Sequence, residues 1–387
     1  MSNGEAKNPL RILHIILALR PTNGQYNEHC LPLMDVRKIS ICTYFKSEIT
    51  PPAAIRLFDG DNSVRGFFRA LRAALEAAQY DIIHVHTPHA GVLLLAYLFR
   101  DGLYRKLKPS TVHTIQNSYQ SFAPRHKLMF IPSFPFFERL VFCSQASYES
   151  FPSVLKWFGG QRIQVVQNAV DLGRIDRAVQ AAPTSRANRF EIVTVGLIKI
   201  KDPCAVLEAF RQSHDRASDL IFLGEGALRP RVASETEKAG LEDHVTLAGM
   251  IKRDSVFAHF SQADLFVSAS WGEGLPVAVL EAMACRCPVL LSDIPPHREI
   301  AEGVDFIPLI QPGDVAGFAR EIRKFREMTP AARADIGDRC RAIVEDRFSL
   351  QAMHSGYKQI YSQMVSAETD IALRSLESQT KKVNNAV

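Results

Sequence analysis

Short apolar runs alternate with stretches of helical hydrophobic spacing along most of the chain. This pattern is typical of parallel strands that are joined by crossover helices. In the first half, strands are predicted over residues 12–17, 38–44, 82–86, 111–115, 140–143 and 163–166. Phe67, Leu71 and Leu75 share one helical face within residues 64–78, which predicts a crossover helix. The first half therefore reads as one Rossmann-like α/β unit.

The second half repeats the alternation. Its strands are predicted over residues 192–197, 220–223, 245–247, 264–267, 289–291 and 306–309. Its helices are predicted over residues 202–214, 229–239 and 277–284. Residues 172–189 have weak periodicity and many Ala, Arg, Thr and Ser residues, so the interdomain linker is expected there. Two facing α/β units would place a ligand cleft at the carboxyl ends of their strands.

These patterns divide the chain into five parts. The predicted parts are an N-terminal domain (1–175), a linker (176–189), a C-terminal domain (190–346), an amphipathic helix (347–366) and a disordered tail (367–387). In the helix, we expect Phe348, Met353, Tyr357, Ile360 and Tyr361 to be the packing residues.

Composition limits the classes of partner and the compartment. The net charge of +5 over 387 residues is mild and without the clustering of a DNA-binding protein, so no nucleic-acid partner is expected. Seven cysteines without metal-like spacing favour reduced thiols in a cytoplasmic enzyme. The polar N-terminus does not resemble a secretory signal, and no uncharged apolar run reaches the roughly 20 residues that span a bilayer. We therefore expect a cytoplasmic protein, in solution or at the inner face of the membrane.

The run "WGEGLPVAVLEAMA" at residues 271–284 contains the strongest chemical signal. Glu273 precedes a predicted helix start and Glu281 lies inside the helix. Unpaired backbone amides at such a start, here of Gly274 and Leu275, suit a diphosphate. Glu281 follows Pro276 by five positions, or roughly 7.5 Å along the axis, which is about the distance from a pyrophosphate to its ribose. The spacing therefore predicts a sugar-nucleotide site.

Two glutamates separated by seven residues and followed by "AMACRCPVLLSDIPPHREI" resemble the signature of the family-4 retaining glycosyltransferases. Further similar stretches are "YDIIHVHTPHAG" at 80–91, "RIQVVQNAVD" at 162–171 and "EIVTVGLIKIKDPCAVLEAF" at 191–210. The resemblance implies the GT-B fold, in which two Rossmann-like domains face each other and a C-terminal helix crosses back to the N-terminal domain. It also implies a UDP-, GDP- or ADP-sugar donor and no cofactor.

The resemblance implies a role for each donor-side residue. Glu281 would bind the ribose, Glu273 the hydroxyls of the transferred sugar, and Lys201 the diphosphate together with the Gly274 and Leu275 amides. The family usually has an Arg where this chain has Leu197, so Lys199 is a possible second cation. Two glycines at strand ends would approach the donor closely, Gly24 and Gly224.

Two further positions depart from the family pattern. Gln116 stands where the family usually has His near the donor sugar. Glutamine can orient a sugar but cannot act as an acid or base. Arg286 stands after the helix where Gly is common, and a left-handed backbone there would cost roughly 1 kcal/mol. These departures leave open a catalytically silent relative that serves as a binding or scaffold subunit.

Two local clusters are better explained by structure than by metal binding. His84, His86 and His89 surround a strand end but lack nearby carboxylate or thiolate partners. Asp59 and Asp61 flank a glycine in a loop, which is typical of a turn and helix cap. No metal is therefore expected at either cluster.

The family resemblance implies that the N-terminal domain receives a saccharide or lipid-linked acceptor, in surface-polysaccharide or glycolipid synthesis. The basic and aromatic segment "RHKLMFIPSFPFFERLVF" at 125–142 could meet such an acceptor or the membrane interface. Its two prolines argue against a regular amphipathic helix, and a core segment is the alternative.

Overall fold

The protein contains two parallel sheets in a computed structural model that describes residues 9–21, 23–182, 189–213 and 217–366. The strands of the first sheet are β1 (Arg11–Ile16), β2 (Lys38–Thr43), β3 (Arg56–Phe58), β4 (Ile82–Val85), β5 (Thr111–Ile115), β6 (Arg139–Phe142) and β7 (Ile163–Val165). Their order is β3-β2-β1-β4-β5-β6-β7, and all neighbours are parallel. The short strand β3 was not predicted, because its three residues contain no apolar run.

The second sheet repeats this design with one strand fewer. Its strands are β8 (Phe190–Val195), β9 (Ser218–Leu223), β10 (Val245–Gly249), β11 (Leu265–Ser268), β12 (Val289–Ser292) and β13 (Leu309–Ile310). Their order is β10-β9-β8-β11-β12-β13, again parallel throughout. The predicted α/β class with two Rossmann-like units is confirmed.

Helices cover both sheets and connect their strands. In the first half they are α1 (Val64–Ala77), α2 (Pro88–Arg100), α3 (Tyr104–Leu107), α4 (Pro124–Phe130), α5 (Ser133–Phe136), α6 (Gln145–Ser150), α7 (Ser153–Gly159) and α8 (Leu172–Gln180). In the second half they are α9 (Pro203–Ser213), α10 (Arg229–Lys238), α11 (Arg253–Gln262), α12 (Val277–Ala284), α13 (Pro295–Ile300), α14 (Val315–Glu327), α15 (Pro330–Arg347) and α16 (350–366). Within the described ranges, no helix combines the length and apolar composition that crossing a bilayer requires.

The C-terminal helix α16 crosses back to the N-terminal sheet. Met353, Tyr357 and Tyr361 on this helix are buried in one cluster with Ile12 and Val112 of β1 and β5. The apolar spacing of the helix therefore matches the sheet on which it packs, and the predicted crossing is confirmed.

The predicted linker begins as a helix. Asp171 caps α8, since its carboxylate accepts a hydrogen bond from the Arg174 amide at 2.9 Å. Ile175 of this helix is buried in the core of the C-terminal half. Residues 183–188 of the predicted linker and the predicted tail, 367–387, lie outside the described residues.

Arg286 has the backbone conformation that the family comparison implied. Its φ is +60°, in the left-handed region that favours glycine. Its carbonyl lies against Gly337, where an added Cβ would overlap it. The turn after α12 is therefore strained at a position that an arginine occupies.

Candidate functional site

The carboxyl ends of the two sheets face each other, and the loop before α12 lies between them. Three consecutive carbonyls of this loop, residues 273–275, accept hydrogen bonds from the N-terminal domain. The donors are the Ser118 hydroxyl, the Ser144 hydroxyl at 2.8 Å and the Asn168 amide at 3.2 Å. The cleft is therefore closed around the predicted diphosphate turn.

A carboxylate of the C-terminal domain also binds the N-terminal domain across the cleft. Glu299 of α13 accepts hydrogen bonds from the backbone amides of Gln145 and Ala146 at 3.1 and 2.8 Å. These amides belong to the first turn of α6, which has unpaired N–H groups. Gln167 adds a third donor at 2.7 Å.

Glu273 and Lys201, which the sequence predicted to share the site, form an ion pair. The Lys201 Nζ lies 2.6 Å from Glu273 Oε1, and the Ser270 hydroxyl donates to the same oxygen at 2.7 Å. Burial alone would raise the pKa of Glu273, but Lys201 and Ser270 more than offset it and the pKa lies below its ordinary value. The carboxylate is therefore held ionised, as an acceptor for hydroxyl groups.

His297 lies close enough to interact electrostatically with Glu273. Burial lowers the pKa of His297 to about 4, although Glu273 opposes this shift. The ring is thus neutral near pH 7. Its Nδ1 lies 2.7 Å from the Ser292 carbonyl oxygen, and its Nε2 is buried without a hydrogen-bond partner among the described residues.

Lys199 and Gln116 are the other predicted cation and the predicted sugar contact, and they lie in different surroundings. Lys199 is exposed, whereas Lys201 reaches the buried carboxylate. Leu197, at the position of the family arginine, is fully buried in a core cluster. Gln116 follows β5, and an added Cβ at Gly274 would overlap its carbonyl oxygen. The backbone of Gln116 therefore lies directly against the glutamate loop.

The second glutamate is paired across the cleft. Arg253, at the start of α11, contacts Glu281 at 2.6 Å and Glu28 of the N-terminal domain at 2.9 Å. Burial raises the pKa of Glu281, and raises that of Glu28 to about 7, because Arg253 offsets only part of the desolvation cost. One guanidinium thus serves two buried carboxylates from different domains, which we call the Glu28–Arg253–Glu281 triad.

A mostly apolar pocket of about 390 Å³ opens beside the triad. The glycines Gly24 and Gly224 both line it, as does Glu281. Gly224 has φ +90°, which a side chain would strain, whereas Gly24 has φ −59° and needs no glycine for its backbone. The apolar lining residues are Val195, Leu223, Met250, Ile251, Val256, Phe260, Val277 and Ala278. Its size and lining suit the flat face of a nucleobase.

Glu28→Gln should remove a pH dependence of stability. The pKa of Glu28 rises from its ordinary 4.5 to about 7 on folding. Its stabilising contribution is therefore complete below pH 4.5 and is lost as the pH rises through 7. Relative to the wild type, the variant should gain about 2 kcal/mol of unfolding free energy between pH 5.5 and 8.5, measured by urea unfolding.

The matched control for this change is Glu237→Gln, which alters an exposed glutamate on α10. The unfolding free energy of this control should depend on pH in the same way as that of the wild type over this range. His354 contacts the backbone carbonyl oxygen of Glu28 at 2.7 Å and not its carboxylate. The protonated and the ionised form of Glu28 therefore both keep this contact. A Glu28→Gln curve that also parallels the wild type would contradict the raised pKa.

The two clusters considered for metals have other partners. Asp59 accepts hydrogen bonds from Thr43 and Ser47, and Asp61 pairs with Ser63 and Arg69. They organise a turn and the cap of α1, as the sequence predicts.

The histidines form a buried group that the sequence only partly anticipated. His14 joins His84 and His86, and one nitrogen of each lies within 4.8 Å of the others. The two nitrogens of His84 contact Tyr361 at 2.7 Å and Thr114 at 2.6 Å. His89 lies elsewhere, with its ring 4.6 Å from that of His126.

Sequence reasoning missed three residues that the structure brings to the cleft: Glu28, Arg253 and His297. His297 stands within the quoted family-like segment, but no pattern distinguished it. Arg253 is 225 positions from Glu28, and no spacing signal connects residues so far apart. Charged residues at predicted strand ends were the available clue, because those ends meet at the cleft.

Two family models match the chain. One, described as Glycosyl transferases group 1, matches residues 189–327. The other, described as Glycosyltransferase Family 4, matches residues 43–174. Together they cover 271 of 387 residues, with one model on each domain.

Individual proteins agree with these models. The chain is 25% identical over 295 residues to the candidate glycosyltransferase EpsD of Bacillus subtilis (strain 168), covering 73% of this chain and 76% of EpsD. It is 30% identical over 206 residues to the candidate colanic acid biosynthesis glycosyltransferase WcaL of Escherichia coli (strain K12), covering 50% of this chain and about half (49%) of WcaL.

A solved structure shows the same fold. Anabaena Alr3699/HepE, crystallised with UDP and glucose, superposes with a TM-score of 0.71 at 18% identity over 92% of this chain and 100% of that chain. The matches follow the order of the two domains, and the residues that resemble the family signature lie in the cleft between them. The chain therefore belongs to the group 1, family 4 glycosyltransferases and has their GT-B fold.

Proposed function

We propose that this glycosyltransferase is a metal-independent, retaining enzyme that transfers a hexosyl unit from a UDP-, GDP- or ADP-sugar to a saccharide or lipid-linked acceptor. The observation that carries the proposal is the position of the two glutamates. Glu281 lines an apolar, nucleobase-sized pocket, and Glu273 with Lys201 lies at the other end of the same loop and helix. A donor that spans this distance would place its diphosphate between them.

Each site residue then has one task. Glu281 accepts from the ribose hydroxyls, Lys201 and the Gly274 and Leu275 amides hold the diphosphate, and Glu273 accepts from the sugar hydroxyls. Gln116 orients the sugar from the opposite domain. Three carbonyls of this loop are bonded to the N-terminal domain, which holds the loop between the two domains.

The chemical step needs no base from the protein. The bond between the sugar C1 and the phosphate oxygen breaks on one face of the ring, and the acceptor oxygen forms its bond to C1 on that same face. The leaving phosphate oxygen takes the acceptor proton. Lys201 offsets the negative charge that develops on the diphosphate, which is consistent with Glu273 being ionised and Gln116 being neutral.

The names of the relatives support a setting in the assembly of surface polysaccharides. WcaL is named for colanic acid biosynthesis, and the HepE structure holds UDP and glucose, which favours a UDP-linked donor. Leu197 in place of the family arginine favours the second candidate, a catalytically silent subunit that binds the donor without transferring it.

Donor binding and turnover separate these functions. Thermal shift with UDP-, GDP- and ADP-glucose should show stabilisation by one donor, and Glu281→Ala should abolish it. Glu273→Ala should keep nucleotide binding but lose donor hydrolysis, whereas Glu237→Ala, an exposed control, should behave as wild type. Binding without hydrolysis or transfer by the wild type identifies the silent subunit. No stabilisation by any donor would contradict both functions.

A further inference from the structure

One face of the N-terminal domain exposes an unusual group of large apolar side chains. Across the described residues, fourteen large hydrophobic side chains are exposed. Seven of them lie between residues 99 and 158, and their exposed fractions run from 36% to 75%. We call them the docking face, and they are Phe99, Leu128, Ile131, Phe136, Val154, Trp157 and Phe158.

Ring contacts, one arginine and helix packing connect the elements that carry these side chains. The rings of Phe99 and Phe136 are 5.3 Å apart, and those of Trp157 and Phe158 are 4.9 Å apart. Arg162 joins the two pairs, since its guanidinium donates to the carbonyl oxygens of Pro135 and Phe158 at 2.9 and 2.5 Å. Helix α4, which carries Leu128, packs against α2, and α5 packs against α7. The surface is therefore built from short, mutually packed helices.

The same part of the chain carries the whole positive excess of the protein. Residues 99–166 contain nine Lys or Arg and three Asp or Glu. The rest of the chain contains 37 Lys or Arg and 38 Asp or Glu, so it is close to neutral. Arg105, Lys106 and Arg125 of this segment are exposed beside the apolar side chains. The docking face therefore combines protruding apolar groups with a local positive charge.

This combination fits an anionic phospholipid surface. Aromatic and aliphatic side chains insert at the boundary between headgroups and acyl chains, while Lys and Arg are attracted to anionic headgroups. A second copy of the chain would bring the same positive charge and be repelled. Nucleic acid would match the charge but leave Leu128 and Ile131, exposed to 67% and 49%, without an apolar partner.

The docking face begins at the rim of the cleft. Ser121, just before α4, lies against Gly272, because an added Cβ there would be 2.9 Å from the serine hydroxyl. His126 of α4 contacts His89, which lies in the first turn of α2 beyond the carboxyl end of β4. A molecule anchored in a bilayer that covers this face would therefore present its head near Gln116 and Glu273.

We propose that this face docks the enzyme on an anionic phospholipid bilayer, so that the acceptor is a saccharide carried on a membrane lipid. The choice of acceptor rests on the proposed function, whereas the docking itself does not. The surface supports that choice, because an acceptor in solution would not require apolar groups exposed at the rim of the cleft.

Vesicle flotation tests the docking. The wild type should float with vesicles of equal parts phosphatidylcholine and phosphatidylglycerol and stay in solution with phosphatidylcholine alone. Leu128→Gln with Ile131→Gln, and separately Lys106→Gln with Arg125→Gln, should each lower the partition coefficient by roughly tenfold or more. The matched controls are exposed side chains of other elements: Val36→Gln with Val64→Gln in the N-terminal domain, and Arg211→Gln with Arg231→Gln in the C-terminal domain.

Donor binding separates a failure of docking from a failure of the enzyme function. All these variants should keep the thermal shift with the donor that stabilises the wild type, since none lies in the donor pocket. The docking proposal is wrong if the wild type does not float with anionic vesicles. It is also wrong if the docking-face variants and the control variants have the same partition coefficient. It is also wrong if the face variants dissociate an oligomer in light scattering, because a protein then covers this surface.

Discussion

Replacing Lys201 by methionine is expected to lower kcat by roughly 10²–10³-fold, with a smaller change in the KM for the donor. The ammonium lies 2.6 Å from Glu273 and beside the predicted diphosphate turn. Negative charge on the diphosphate grows as the sugar bond breaks, so the lost interaction matters most in the transition state. Donor hydrolysis and acceptor transfer would both measure this.

The matched control is Lys199→Met. Lys199 lies in the same helical turn but is exposed, so its loss should change kcat by less than about threefold. Lys201→Met should also raise the pKa of Glu273, because burial would then be opposed by Ser270 and His297 without the ammonium. Equal losses in the two lysine variants would show that both cations hold the diphosphate and that the ion pair has no special role.

Much of the geometry of the proposed donor half of the site could be predicted from sequence, because its residues are close in the chain. Helix α12 spans Val277–Ala284 as expected, and it sets Glu273 and Glu281 on either side of its start. Local spacing and turn chemistry determine such an arrangement. Lys201 is further away, yet it follows β8, whose carboxyl end lies at the cleft.

The contacts across the cleft could not be predicted in the same way. Ser118, Ser144 and Asn168 meet the glutamate loop only because two separate sheets face each other at one angle. Sequence periodicity describes which face of an element is buried, but it contains no information on how two finished domains meet. The same limit explains why the sequence gives no signal for Glu28, whose partner Arg253 is 225 positions away.

The carboxylate that we propose for donor binding also takes part in closure of the cleft. Glu281 pairs with Arg253 in the closed cleft, and Glu28 from the other domain completes the triad. A ribose whose hydroxyls donate hydrogen bonds to Glu281 must therefore share this carboxylate with Arg253. The triad links the position of the N-terminal domain to the state of the nucleotide pocket, which contains Glu28, Arg253 and Glu281 in its wall.

Arg253→Met is expected to destabilise the protein by about 3–5 kcal/mol near pH 8, because it leaves Glu28 and Glu281 buried without a cation. Their side chains are 7% and 9% exposed, so solvent screens them little. Without the guanidinium, burial would raise both pKa values further. The loss should therefore shrink as the pH falls toward 5 and the carboxyl groups bind protons.

Urea unfolding followed by circular dichroism would measure this loss. Arg231→Met is the control, since its partner Glu235 is 2.7 Å away on an exposed helix surface, where removal should cost less than about 1 kcal/mol. Adding Glu28→Gln and Glu281→Gln to Arg253→Met should restore most of the stability, because the cost comes from uncompensated charge and not from the lost volume of arginine. If the triple variant stays as unstable as Arg253→Met and shows the same pH dependence, then packing of the arginine side chain, and not charge pairing, holds the two domains together here.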